Sequence, residues 1–187
     1  MSASEINKFE MALAYHATPT LMGIKCGSLL SLSCEEYDLS GLAELMGNQL
    51  AERGLRIMLI PVSEKRQLVY IYSGEMLKKR LRCRAVRRFL SGYGYGIDMT
   101  AEQCLDRLSE RLSEDGFPHE IGIFLDYPLE DVKGFIDNCG QNCKLCGVWK
   151  VYGDVERARR IFAQYHRCCT ELCAQLEQGK KLAACVA

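Results

Sequence analysis

The feature that most constrains the fold is a pair of short β-forming segments with a polar turn between them. Leu55–Val62 and Leu68–Tyr72 are rich in β-branched, aromatic and other apolar residues, and the intervening residues 63–67 are all polar. This pattern predicts two strands that pair as an antiparallel hairpin. Because a hairpin brings antiparallel pairing into a sheet, a mixed sheet is favoured over a purely parallel one.

Helical patterns lie on both sides of the hairpin. Ser4 is the predicted N-cap of a first helix, and Pro19 is predicted to end that helix because proline disfavours helical continuation. Residues 27–33 predict a short strand, and apolar spacing predicts a helix over residues 40–53. After the hairpin, further helices are predicted over residues 74–91 and about 100–114.

The last third of the chain alternates between apolar segments and helical patterns. An apolar strand is predicted over residues 120–125, and Pro128 is predicted to open a short helix, since proline is favoured at a first helical position. A further strand is predicted over residues 148–152. Asp154 is then the predicted cap of a long final helix that runs to about Gln178.

Together these elements predict an α/β fold in a single domain that covers residues 1–187. A chain of 187 residues has the size of one domain. Short strands that alternate with helices are typical of one sheet with helical layers on it. We therefore expect a central mixed sheet of about five short strands covered by about six helices.

The charge balance narrows the range of partners. The chain has 24 basic and 24 acidic residues, whereas a dedicated binder of nucleic acid or of an anionic membrane usually carries a basic excess. No apolar run approaches the roughly 18 residues of a membrane helix, and the first residues lack the pattern of a secretory signal. We therefore expect a cytoplasmic protein whose partner is a small molecule or another protein, with neither nucleic acid nor a membrane favoured.

Eleven cysteines raise the question of their chemistry. Because the count is odd and an export signal is not seen, reduced thiols or metal ligands are favoured over disulfides. Cys143 and Cys146 precede a predicted strand, and a helix returning antiparallel along it would bring back two more thiols, those of Cys168 and Cys169. Four thiolates there would form a zinc or iron site. The alternatives are redox-active thiols and small buried apolar side chains.

Residues 118–128, Pro-His-Glu-Ile-Gly-Ile-Phe-Leu-Asp-Tyr-Pro, carry two adjacent motifs. They resemble the signature of the bacterial domain of unknown function 3793 family, in which a P-H-E motif is followed shortly by an L-G-Y-P motif. The resemblance extends to residues 16–21 with Lys25, to residues 131–136 and to residues 148–152, so it spans nearly the whole chain. It implies no known activity, but it marks the residues of these motifs as candidates for function.

One position departs from the pattern of that family. Asp126 stands where the family has glycine, just before the helix that Pro128 is predicted to start. A glycine there would let an anionic ligand approach the free amides of a helix N-terminus, whereas an aspartate would repel an anion. Either this position is not an anion site, or this member of the family has changed it.

His119 and Glu120 lie where a loop is predicted to enter an apolar strand. An imidazole titrates near neutral pH, and an adjacent carboxylate can orient it or share a proton transfer. Since neighbours along a strand point to opposite faces, the two side chains share a pocket only if the strand begins after them. The alternative is a buried, hydrogen-bonded histidine beside a surface or capping glutamate.

The resemblance adds further residues to this candidate pocket. The candidate catalytic residues are His119, Glu120, His16, Lys25 and Lys150, and the candidate ligand-binding residues are Tyr127 and Trp149. We therefore expect a small-ligand-binding protein or an enzyme with a polar pocket around His119. One alternative is a metal-binding or thiol-redox accessory protein that uses the cysteines, and another is a non-catalytic protein-interaction module.

Overall fold

A computed structural model describes residues 2–114 and 116–186. The helices in these ranges are α1 (Ala3–Leu21), α2 (Leu39–Ala51), α3 (Gly74–Arg82), α4 (Arg84–Ser91), α5 (Ala101–Ser113), α6 (Ile121–Phe124), α7 (Leu129–Asp137), α8 (Val155–Glu177) and α9 (Leu182–Cys185). The strands are β1 (Gly27–Ser33), β2 (Leu55–Pro61), β3 (Arg66–Ser73), β4 (Leu145–Cys146) and β5 (Lys150–Val151).

These elements form two compact units. The first unit comprises the residues up to Met76 together with those from Arg167 onward, and the second unit is Leu77–His166. The boundaries fall inside α3 and α8, so each of these helices contributes residues to both units.

The first unit is built on a three-stranded antiparallel sheet in the order β1-β3-β2. Tyr70 of the central strand pairs with Leu29 of β1 and with Met58 of β2. The predicted hairpin is therefore confirmed as β2 and β3, and the strand predicted over residues 27–33 is confirmed as β1. α1 and α2 pack against the sheet through buried side chains such as Phe9 and Leu42.

Helix α1 differs from its predicted bounds at both ends. Ser2 is the N-cap instead of Ser4, because the Glu5 amide donates to Ser2 Oγ at 3.2 Å and the Ser2 amide donates to Glu5 Oε2 at 3.3 Å. At its other end the helix continues past Pro19 to Leu21. A proline inside a helix costs about 3 kcal/mol. The final turn of α1 is buried in the core, and this packing offsets that cost.

The second unit is mainly helical. Its buried core includes Leu77, Leu81, Val86, Leu90, Leu105, Leu108, Ile123, Phe124 and Val151. The helix predicted over residues 74–91 is broken at Cys83 into α3 and α4, whereas the helix predicted over about 100–114 is confirmed as α5 with Thr100 as its N-cap. The helix after Pro128 and the long helix after Asp154 are confirmed as α7 and α8.

The two strands predicted for the last third of the chain are wrong in kind or in extent. The apolar run at residues 120–125 contains the single-turn helix α6, whose four residues are all buried. A short continuous apolar run fits a buried helix as well as a buried strand, because it shows neither period. The strand predicted over residues 148–152 is reduced to β5, which pairs with β4.

The predicted central sheet of about five strands is therefore wrong. The described residues form a three-stranded sheet in the first unit and a separate two-stranded sheet in the second, so helices and strands are mixed without one shared sheet. Within the same ranges, no helix combines the length and the apolar character that crossing a bilayer requires.

Two helical glycines are expected to respond oppositely to alanine. A Cβ at Gly134 of α7 would overlap Cβ and Cγ of Tyr152, so Gly134→Ala should lower the unfolding free energy by about 1–3 kcal/mol. A Cβ at Gly47 of α2 would meet nothing within 4 Å, so Gly47→Ala should raise it by about 0.5–1 kcal/mol. Urea denaturation of both variants measures the difference, and equal shifts would contradict the packing around α7.

Candidate functional site

A cavity of about 380 Å³ lies within the second unit. Its walls come from the segment before α6, from α6 and α7, and from the β4–β5 hairpin. His119, Tyr127, Trp149 and Lys150, which the sequence analysis marked as candidates, all line it. We refer to this space as the aromatic cavity, because Phe117, Tyr127, Phe135 and Trp149 form much of its surface.

The P-H-E segment is a turn that leads directly into α6. The amides of Ile121, Gly122 and Ile123 donate to carbonyl oxygens three residues earlier, at 3.1, 3.3 and 3.0 Å. In this tight turn, as in a strand, the two neighbouring side chains have different surroundings. His119 is exposed and lines the aromatic cavity, while Glu120 is 1% exposed and does not line it.

Glu120 is held by an arginine on another helix. Its carboxylate forms an ion pair and a hydrogen bond with Arg111 of α5, and Arg111 also lies 3.4 Å from a carboxylate oxygen of Glu114. Burial, and then the Glu120 charge, raise the pKa of Tyr95. The contact with Arg111 joins the turn before α6 to α5, and the catalytic role expected for Glu120 stays a prediction.

Asp131 of α7 is a second buried acid, 3% exposed, and its oxygens accept three hydrogen bonds. Trp149 Nε1 donates to Oδ2 at 2.7 Å, and the amides of Tyr152 and Gly153 each donate to Oδ1 at 2.7 Å. This carboxylate ties the β4–β5 hairpin to α7. Sequence reasoning missed this role, although the family resemblance over residues 131–136 included this acid.

The indole of Trp149 is packed on two sides by other rings. Tyr127 stacks on it with ring centroids 5.0 Å apart and planes 27° apart, and Phe162 meets it edge-on at 4.5 Å. With its Nε1 bound to Asp131, the indole is fixed in both position and orientation. Tyr127 is half-buried, and burial raises the pKa of its phenol.

Gly122 of α6 explains how these groups fit so closely. An added Cβ would lie 2.7 Å from Val132 Cγ2 and 3.3 Å from Tyr127 Cδ2. Contacts below about 3 Å are not sustained by real side chains, so only glycine lets α6 approach α7 and the tyrosine ring at this distance.

Lys150 and His119 meet at the ring of Phe135. Lys150 Nζ donates to the Gly140 carbonyl at 2.7 Å and lies 5.8 Å from the centroid of Phe135. The imidazole of His119 packs on the same ring at 4.9 Å between centroids. Cys146 is the cross-strand partner of Lys150 and also lines the cavity. This end of the aromatic cavity therefore holds its cation, its imidazole and its thiol.

Asp126 adopts a left-handed backbone with φ of 63°. Glycine adopts this conformation freely, so the glycine of the family pattern has a conformational explanation at this turn. Arg80 Nε lies 3.5 Å from Asp126 Oδ1, and Arg80 also donates to the Tyr127 carbonyl. The first turn of α7 carries Glu130 and Asp131, which makes its N-terminus acidic and disfavours an anion there.

His16 and Lys25 belong to the first unit. His16 is exposed on α1, with its ring edge-on to Tyr15 at 4.8 Å between centroids. Lys25 is 5% exposed and follows α1, where its amide donates to the Pro19 carbonyl at 3.1 Å. Their convergence with His119 stays a prediction.

The cysteines of the described ranges are free thiols. Cys143 and Cys146 belong to the second unit, whereas Cys168 and Cys169 lie on the part of α8 that belongs to the first. Across residues 2–114 and 116–186, no group of three or more His, Cys, Asp or Glu side chains is arranged to hold a metal ion. The four-thiolate zinc or iron site expected from the sequence stays a prediction.

Two thiols differ sharply in acidity. The backbone amides of Val86 and Ala85, at the start of α4, lower the pKa of the Cys83 thiol, and Arg80 lowers it further. Burial raises the pKa of Cys168 to about 11. Cys83 is also exposed, so it is the more nucleophilic of the two near neutral pH.

Asp131→Asn should loosen the β4–β5 hairpin. Asparagine has one acceptor oxygen for the three donors, and its own amide hydrogens would face the donors that this oxygen does not reach. Hydrogen bonds to a charged group contribute about 1.5–3 kcal/mol each. We expect a loss of about 2–4 kcal/mol in unfolding free energy and a red-shifted Trp149 emission. Urea denaturation followed by fluorescence measures both. Glu130→Gln, an exposed neighbour, is the control, and equal stability of the two variants would disprove the role of Asp131.

Alkylation should distinguish the two thiols. Below both pKa values each unit of pKa difference changes the thiolate fraction about tenfold, so Cys83 should react with iodoacetamide at least tenfold faster than Cys168 near neutral pH. Peptide mass spectrometry across a pH series measures both rates, and the rate of Cys168 should rise until the pH reaches about 11. Cys139, which is exposed but is not at a helix N-terminus, is the control that shows how much of the rate difference comes from exposure alone. Equal rates for Cys83 and Cys168 would refute the assignment.

Comparison with known proteins places the residues of the candidate site within a known family. A sequence profile of a family described as protein of unknown function (DUF3793) matches residues 13–186, which include every residue that lines the aromatic cavity. Comparison with curated proteins and with solved structures gave no significant match. The match covers most of the chain and confirms the resemblance seen in its motifs. The chain belongs to the DUF3793 family.

Proposed function

We propose that the second unit binds a small molecule in the aromatic cavity. The observation that carries this proposal is the convergence of His119, Tyr127, Trp149 and Lys150 on one concave space. These residues come from three separate motifs of the sequence, and the fold of a single unit gathers them. Such a gathering of chemically distinct side chains is typical of a ligand site.

The size and lining of the cavity support this proposal. Ligand pockets typically enclose about 300–1,000 Å³ and are lined by apolar and aromatic groups with a few polar ones. The aromatic cavity, at about 380 Å³, lies toward the small end of that range. Two of its polar groups, Lys150 and His119, lie near Phe135, and this placement would fix the orientation of a bound molecule.

The walls of the cavity are also organised in advance of any ligand. Asp131 and Tyr127 hold the Trp149 ring, and Lys150 is tethered to the Gly140 carbonyl. Groups that are already fixed lose little conformational entropy when a ligand arrives, and this raises affinity.

Binding is favoured over catalysis by the state of the two acids. A histidine that acts as a general base is usually oriented by a carboxylate or a similar acceptor. Glu120 is engaged by Arg111, and Asp131 by Trp149 and two amides. In the described ranges, the contacts of the His119 ring are with Phe117 and Phe135. Its surroundings suit recognition more than proton transfer.

The proposal can be tested through Trp149, the only tryptophan in the chain. A library of small aromatic molecules is titrated into ¹⁵N-labelled protein while the single indole N–H resonance is followed. Molecules that bind are expected to shift this resonance and to slow alkylation of Cys146, whereas alkylation of Cys139, which does not line the cavity, should be unchanged. If no member of the library moves the indole signal, the proposal fails.

A matched pair of variants shows where the molecules bind. Val148 and Ile97 are both exposed apolar residues of the second unit, at 47% and 63%, but only Val148 lines the cavity. Val148→Glu places a carboxylate at the rim of the cavity, and a bound molecule would remove water from this carboxylate. Uncharged library members should therefore bind at least threefold more weakly. Ile97→Glu should leave their affinity unchanged.

A further inference from the structure

The charges that face the aromatic cavity are unequal in their capacity to bind a ligand. Among the lining residues that the structure describes, Asp131 is the only acid, and three donors already occupy its two oxygens. A carboxylate has about four acceptor sites, so it has little left to offer a cation. An ammonium or guanidinium ligand would therefore enter the cavity without a full partner, at a high desolvation cost.

Lys150 presents the opposite case. Its ammonium carries three donors, and one of them is directed to the Gly140 carbonyl at 2.7 Å. The remaining two donors are available for an acceptor at the Phe135 end of the cavity. Because the side chain is partly buried and its ammonium is tethered, an anion placed there would gain more than it would from a mobile surface lysine.

His119 adds to the same end. Its imidazole packs on the Phe135 ring near which the ammonium of Lys150 lies, so both polar groups converge on one ring. An imidazole donates a hydrogen bond from a ring nitrogen in either of its protonation states. The Phe135 end is thus rich in donors, whereas the stacked rings of Tyr127 and Trp149 offer an apolar surface for a planar group.

From this arrangement we propose that the aromatic cavity selects an aromatic carboxylate. The carboxylate binds to Lys150 and His119 beside Phe135, and the aromatic body packs against Tyr127 and Trp149. This inference rests on the proposed binding function and narrows it to one class of ligand, a planar aromatic anion.

The test uses two probes of nearly the same shape, 2-naphthoate and 2-naphthamide, which differ in charge. Calorimetric titration of the whole protein should show that the carboxylate binds at least tenfold tighter than the amide. Lys150→Met keeps the length of the side chain and removes the charge, so this preference should fall to less than twofold. Lys144→Met is the matched control, because Lys144 lies on the same hairpin segment outside the cavity, with its Nζ on the Gly153 carbonyl at 3.2 Å.

The outcomes distinguish failure of the aromatic carboxylate inference from failure of the proposal that the cavity binds a small molecule. Equal binding of both probes, with a shift of the Trp149 indole signal, would overturn the choice of an anion and leave small-molecule binding intact. Tighter binding of 2-naphthylmethylammonium, the matching cation, would also overturn it. A preference for the carboxylate that survives Lys150→Met would refute the role of Lys150. Failure of all three probes, together with a silent indole signal across the aromatic library, would refute both.

Discussion

The buried carboxylate of Asp131 is the interaction on which the candidate site most depends. β4 and β5 are two residues each, and a two-stranded hairpin is marginally stable at best in water. Asp131 supplies what the hairpin lacks, since it binds the Trp149 indole on one side and two amides beyond β5 on the other. Fixing this hairpin on α7 fixes Trp149 and Lys150 together. The wall of the cavity is thus a consequence of one acid placed on the inner face of a helix.

Two buried acids belong to the structure around the cavity: Glu120 does not line it, and Asp131 lines it with both oxygens already hydrogen-bonded. Glu120 fastens the turn before α6 to Arg111, and Asp131 fastens the hairpin to α7. A buried charge is stable only when it is paired or fully hydrogen-bonded, and each of these acids meets that requirement through the contacts that build the walls. The polar lining side chains that can still bind a ligand are then those of Lys150 and His119. The anion preference that we propose rests on this structural use of the acids, in a chain that as a whole has no net charge.

Sequence reasoning predicted the parts that depend on local pattern. The β2–β3 hairpin follows from strand composition and its polar turn, and α5 follows from apolar residues at helical spacing. Both patterns act over a few residues. The turn into α6 was mistaken for a strand because an apolar run carries no period, and the misplaced strand also suggested a larger sheet. For the site, the motifs identified Tyr127, Trp149 and Lys150, but not the roles of Asp131 and Arg111. Those roles depend on partners 9 to 22 residues away, which become neighbours only in the folded chain.

Asp126 stands where glycine is expected from the family resemblance, and its role concerns the backbone turn more than the cavity. A non-glycine residue with positive φ costs roughly 1–2 kcal/mol, although aspartate tolerates this region better than most residues. The ion pair with Arg80 offsets part of that cost, and Arg80 also binds the carbonyl of Tyr127, the next residue. Aspartate can thus occupy the same backbone turn that glycine would, and the tyrosine that follows keeps its stack on Trp149. The carboxylate of Asp126 does not line the cavity, so it supports the turn without facing the ligand space.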